Sequence, residues 1–96
     1  MRYIVIYDIT DDNLRNKVSE RLKDYGLERI QFSAFQGELA RHAVASLQTD
    51  MRKLLHDGEE TDSVIFFPLC NSCFNSKCVI GAGKEMDKSG EKVSFF

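Results

Sequence analysis

The sequence predicts a single mixed α/β domain (an α+β fold) in which two helices pack against one sheet. Three features carry that expectation. Residues 2–9 and 62–69 are apolar runs of strand length, with apolar side chains on both faces. Two longer segments repeat apolar residues at helical spacing. No repeat, low-complexity tract or Pro/Gly-rich linker interrupts the chain, and 96 residues suit one domain.

In residues 2–9, Tyr3, Val5 and Tyr7 point to one side of a strand, and Ile4, Ile6 and Asp8 to the other. Thr10 or Asp11 then suits an N-cap, and Asp11 and Asp12 suit the positive end of a helix. Leu14, Val18, Leu22 and Tyr25 form that helix's apolar stripe, and Gly26 is placed to end it. Residues 27–39 alternate like a strand, broken at Gly37. They make either one strand or, with a turn near Phe32 or Ser33, two short antiparallel ones. The hairpin is the favoured reading. It converts the order β-α-β-α-β into β-α-β-β-α-β, the ferredoxin-like arrangement.

A second helix is expected over about 39–56, with Ala40, Ala43, Val44, Leu47, Met51, Leu54 and Leu55 on its apolar side. A solvated loop follows at 57–60. The strand over 62–69 contains Val64, Ile65, Phe66 and Phe67 and is closed by Pro68. Val79 and Ile80 suit a short further strand. Residues 84–92 turn polar and 93–96 turn apolar again, which divides the chain into a domain over 1–83 and a tail over 84–96.

Two helices cover one face of such a sheet, yet its strands are apolar on both. A large exposed apolar patch marks an interface, so a homodimer packed sheet to sheet is the simplest cover. The apolar terminus at 93–96 suits an edge strand pairing with the partner's sheet.

Charge and composition narrow the function classes. The net charge is −2, so any phosphate contact must come from a local cluster of the 13 Lys and Arg. No stretch reaches the roughly 20 apolar residues that span a bilayer, and the first residues do not read as a signal peptide. No membrane association and a cytoplasmic location are expected. There the three cysteines would stay reduced.

Asp8 is the first candidate for chemistry, because it ends an apolar strand just before a turn into a helix. Its side of the strand faces either the helices or a dimer partner. In the second case a two-fold axis would bring two copies of Asp8 together, and a divalent cation would relieve their repulsion. Mg2+ suits paired carboxylates and retained water, and would activate water for phosphodiester cleavage. The bland alternative is a turn or capping Asp. Among the basic residues, Arg15 and Lys17 lie nearest the Asp8 turn. Arg21, Lys23, Arg2 and Arg29 are further candidates, but a solvated helix face explains most of them.

The remaining polar groups read as structural. Cys70 and Cys73 form a C-x-x-C with Cys78 following, but no fourth zinc ligand lies nearby, so inert, partly buried thiols are expected. His42 and His56 are isolated on the second helix, and Ser33 has no visible partner for nucleophilic work. Gly81-Ala82-Gly83 is too short for a phosphate loop.

Taken together, Ile6-Tyr7-Asp8-Ile9-Thr10-Asp11-Asp12, a basic helix, and the segment Gln31-Phe32-Ser33-Ala34-Phe35-Gln36-Gly37-Glu38-Leu39 resemble the CRISPR-associated Cas two family over about residues 2–81. Pro68-Leu69-Cys70 also sits where that family closes a strand. The resemblance implies a ferredoxin-like fold and a homodimer with a C-terminal strand crossing to the partner. It implies that Asp8 is the metal-binding, catalytic acid, one copy from each subunit. Ser33 and Phe35 match the segment near that acid, and Arg15 matches a basic helix position; with Lys17 they are the expected nucleic-acid contacts. The implied activity is Mg2+-dependent cleavage of single-stranded RNA or duplex DNA, with a place beside the Cas one integrase in spacer acquisition. A non-catalytic adaptor dimer and a toxin-like ribonuclease of the same fold are the alternatives.

Overall fold

The structure, a computed structural model, describes residues 1–56 and 58–81. The elements run β1 (Arg2–Asp8), α1 (Asp12–Asp24), β2 (Glu28–Gln31), β3 (Ala34–Glu38), α2 (Arg41–Leu55), β4 (Ser63–Leu69) and α3 (Asn71–Asn75). The four strands make one antiparallel sheet in the order β2-β3-β1-β4. The first six elements are thus the βαββαβ, ferredoxin-like arrangement. The short α3 is an addition that periodicity did not signal.

The segment 27–39 folds as a hairpin turning at Phe32 and Ser33. This turn has neither Gly nor Asn, the residues that favoured two-residue turns demand. No described non-Gly residue has positive φ, and the register instead shifts between Arg29 and Gln31. The bulge at Ile30 supplies the twist that a primed turn would otherwise give. Three hydrogen bonds fix the turn. Phe32's carbonyl accepts from the Tyr7 hydroxyl at 3.2 Å and from Arg29 Nη1 at 2.6 Å. The Ser33 carbonyl accepts from the Tyr7 amide at 3.0 Å.

The first helix begins where Asp11 accepts a hydrogen bond from the Leu14 amide at 2.8 Å, so Asp11 rather than Thr10 is the cap. It ends at Gly26, whose φ of 85° is open to glycine at little cost. Gly37 lies inside β3, where a Cβ would come within 2.7 Å of Leu27 Cδ2. The missing side chain is what admits Leu27 to the core. Arg21 on α1 and Asp50 on α2 form an ion pair at 2.8 Å, and Tyr25 donates to the same Asp50 oxygen at 2.9 Å.

The helices lie on the sheet face that carries Val5, Tyr7 and Phe35. These residues pack with Val18, Leu22, Leu27, Leu47 and Met51 in one buried cluster. The opposite face carries Ile4, Ile6 and Asp8 from β1 and their register partners Phe67, Ile65 and Ser63 from β4. It is covered in part. Phe74 from α3 and Val79 after it bury Ile30 and Ala34, and Leu69 packs against them. Over β1 and β4 the face stays open, with Ile6 39%, Ile65 47% and Phe67 45% exposed.

Two expectations are corrected. Val79 and Ile80 form no strand; Val79 instead plugs the second small core. The thiols of Cys70, Cys73 and Cys78 are exposed rather than partly buried, because α3 turns Phe74 inward and the cysteines outward. The tail at 84–96, with its expected crossing strand, lies outside the described residues.

Candidate functional site

Asp8 is the last residue of β1, pairs in register with Ser63, and is exposed on the open face beside Ile6. Its carboxylate has no hydrogen-bond or ion-pair partner among the described residues. The capping task that an Asp after a strand often performs falls to Asp11 instead. Asp8 is therefore a free acid on an apolar surface, and it points away from the helices.

Two loops hold its surroundings. The Thr10 amide donates to Asp62 Oδ1 at 3.0 Å, and the Glu59 amide donates to Asp62 Oδ2 at 3.0 Å. These bonds, that of Thr10 first, hold the Asp62 carboxyl below the usual range for an aspartate. Arg15 reaches back from α1 and donates to the carbonyls of Ile9 and Thr10 at 3.3 and 3.2 Å. It also pairs with Asp12 at 2.6 Å.

Arg15 lines a cleft of about 290 Å³ between α1 and the β2–β3 turn, together with Tyr7, its ion-pair partner Asp12, Asn16, Ser19, Arg29 and Phe32. Phe32 is 71% exposed at the tip of the turn, and the Arg15 guanidinium lies 5.8 Å from its ring centre. Two guanidiniums and an open aromatic ring can hold phosphates and stack a base. The Tyr7–Ser33 hydrogen bond sets this turn beside the end of β1 that carries Asp8.

The expected contact residues are sorted unevenly. Arg15 and Ser33 bond the backbone on either side of Asp8: Arg15 at Ile9 and Thr10, and the Ser33 carbonyl at Tyr7. Lys17 lies in a different cleft of about 400 Å³, with Asp11, Leu14, Leu54 and Glu59. Phe35 is corrected: it is 0% exposed on the helix side of the sheet, against Tyr7 and beneath Arg29, and its ring is out of reach of any base. The aromatic on offer is Phe32, which the sequence reading used only to place a turn. A large apolar residue where a tight turn wants Gly or Asn was the available signal. Arg29 was noted only as one of several basic residues. His42 and His56 are exposed on and just after α2, as expected.

Among the described residues, no three His, Cys, Asp or Glu side chains gather where a metal ion could sit. Asp8 offers a hard oxygen donor on the open face, with no second or third ligand gathered beside it into such a group. Mg2+ is commonly held by one or two carboxylates with water and substrate phosphate completing the shell. The donor set fits Mg2+ as a shared, water-rich site, and does not fit a cage built within one chain. No helix among the described residues is long and apolar enough to cross a membrane.

Residues 1–77 match the family described as CRISPR associated protein Cas2. The CRISPR-associated endoribonuclease Cas2 of Korarchaeum cryptofilum is 40% identical over 84 residues, 88% of each chain. The CRISPR-associated endoribonuclease Cas2 1 of Archaeoglobus fulgidus is 36% identical over 89 residues, 92% of this chain and 93% of the relative. A solved structure of a hypothetical protein from Thermus thermophilus superposes with a TM-score of 0.74 at 34% identity. That match covers 88% of this chain and 94% of the other.

Proposed function

Because this chain belongs to the CRISPR-associated protein Cas2 family, we propose that it is an endoribonuclease, with Asp8 as its catalytic and metal-binding acid. The single observation that carries the reading is the free Asp8 carboxylate on the open apolar face. The name endoribonuclease, borne by its relatives, supports the substrate class.

The working unit in this proposal is a homodimer. Ile6, Ile65 and Phe67 form an apolar surface on the strands that carry Asp8 and Ser63. A second copy is the simplest cover, since a two-fold interface uses the same patch twice. Facing copies of that patch would bring Asp8 of each chain to a common site.

Mg2+ bound there would polarise the phosphoryl oxygen and lower the pKa of its bound water. The chain's own residues do the rest. Asp8 supplies negative oxygen, and Arg15 and Arg29 hold phosphate in the adjoining cleft. Phe32 stacks a base, which favours single strands, whose bases can splay out. Duplex DNA is the second substrate to test. Partnership with the Cas one integrase rests on the sequence resemblance.

The test compares wild type with Asp8→Ala on single-stranded RNA and duplex DNA, each with Mg2+ or chelator. Cleavage by wild type in Mg2+ alone, and none by the variant, is the expected result. Equal cutting by both proteins would remove Asp8 from the reaction. No cutting by either would favour the second reading, a non-catalytic adaptor dimer.

A further inference from the structure

The C-x-x-C segment is the one chemically active feature that the nuclease reading leaves unused. Cys70 and Cys73 stand three residues apart, at the cap and in the first turn of α3. The Cys73 amide donates to Cys70 Sγ at 3.4 Å. Both sulfurs are exposed. Residues at i and i+3 on a helical turn keep their Cβ atoms about 5–6 Å apart. A disulfide needs its Cβ atoms about 3.5–4.5 Å apart, so closure draws the two Cβ atoms together by about 1–2 Å and tightens the first turn of α3.

The environment separates the two thiols chemically. Hydrogen bonds from Cys73, first its amide and then its thiol, push the Cys70 thiol down. The same contact pushes the Cys73 thiol up. One sulfur is thus favoured as thiolate while its neighbour stays protonated beside it, the division of labour that thiol–disulfide exchange uses. Inert thiols would be buried or unpaired, and these are neither.

We propose that Cys70 and Cys73 are a redox-active dithiol, with Cys70 as the attacking sulfur and Cys73 as the resolving one. The co-reactant is a low-molecular-weight disulfide such as oxidised glutathione. The Cys70 thiolate attacks one of its sulfurs, forming a mixed disulfide and releasing one glutathione thiolate. Cys73 then loses its proton to solvent or to that thiolate, attacks Cys70 Sγ, and expels the second glutathione. The protein dithiol is oxidised by two electrons and the small disulfide is reduced to two thiols. Because Phe74 follows directly and plugs the core beneath α3, the closed disulfide would staple the first turn of the helix that covers this part of the sheet.

The experiment incubates the full chain with oxidised glutathione, quenches with acid, and maps disulfides by mass spectrometry. It uses wild type, Cys70→Ser, Cys73→Ser and Cys78→Ser. Wild type and Cys78→Ser should form the Cys70–Cys73 disulfide. Cys73→Ser should trap glutathione on Cys70, because the resolving sulfur is gone. In the reduced protein at neutral pH, iodoacetamide should modify Cys70 faster than Cys73, because their contact pushes the first thiol down and the second up. Glutathione accumulating equally on all three cysteines would overturn the proposal. A disulfide mapped to Cys78, or equal alkylation rates at Cys70 and Cys73, would do so as well. Exposed Cys→Ser changes leave the core intact, and a circular dichroism spectrum of each variant checks that directly.

Discussion

The amide of Thr10 and the carboxylate of Asp62 meet at 3.0 Å across 52 positions of sequence. The bond ties the loop leaving β1 to the loop entering β4, on either side of the Asp8–Ser63 pair. Asp62 also caps the Glu59 amide at 3.0 Å.

Replacing Asp62 by Ala should loosen both loops without touching the core. The expected result is a fall of a few degrees in Tm and a larger fall in RNA cleavage, since Asp8 loses its fixed surroundings. Its lowered pKa sets the sign of the pH effect. The contribution is present above the unfolded aspartate pKa of about 3.9 and disappears as pH falls through the folded value. Thermal melts of wild type and variant should converge in acid; a constant gap down to pH 2 would count against this.

Phe32 and Phe35 should respond in opposite ways. Phe35→Ala empties the centre of the core and should cost about 3–5 kcal/mol of stability. Phe32→Ala should change stability by no more than about 0.5 kcal/mol, yet weaken single-stranded RNA binding by about 1–3 kcal/mol through the lost stack. The chain has no tryptophan, so Phe32→Trp adds a single reporter. Its emission should be quenched by RNA in chelator, where no cleavage intervenes. An unquenched reporter in a protein that still binds RNA would place the base elsewhere.

Charging the open face should dissolve the homodimer and leave the monomer folded. Ile65→Asp and Phe67→Asp act at half-exposed positions on β4, so little core is disturbed. Light scattering after gel filtration should show wild type as a dimer and each variant as a monomer with unchanged circular dichroism. A dimer that survives both changes would require a different interface.

The Asp50 cluster predicts behaviour at both ends of the pH scale. Hydrogen bonds from Arg21 and Tyr25 hold the Asp50 carboxyl below its ordinary range. Burial, then the bond to Asp50, raises the Tyr25 hydroxyl. Asp50 therefore stabilises the fold above about pH 4 and less as its folded pKa is crossed in acid. Tyr25 carries the opposite sign: its contribution is complete below about pH 10 and fades as pH climbs through its raised value. Asp50→Asn should flatten the acid limb of a Tm–pH profile; an unchanged slope would show that other carboxylates govern it.

Much of this was legible in sequence because the relevant signals are local. The β1 alternation, the Asp11 cap, the Gly26 stop and the α2 stripe all act within a few residues. The hairpin at Phe32 and Ser33 was reached on topology, since its turn chemistry points the other way and a bulge at Ile30 makes the difference. Alternation within β3 could not say that Phe35 faces the helices, because both faces of that strand are buried over Ala34 to Gly37, the polar Gln36 included. The helix α3 is too short for periodicity to register, and its burial of Phe74 is what turned the cysteines outward. The Thr10–Asp62 and Arg21–Asp50 pairs join distant segments and leave no mark in either one.

The sheet order has a consequence for synthesis. The ribosome delivers β1 first, yet β1 is a central strand whose two neighbours are β3 and β4. No long-range pairing is available to it until residue 34 has emerged, and its second edge stays unpaired until residue 63 follows. Asp8 meets Ser63 only at that late stage. A nascent chain halted before β4 would carry its acid on an open strand edge, a form that invites aggregation. Function and completed translation are thereby coupled: the residue named eighth is among the last to find its place.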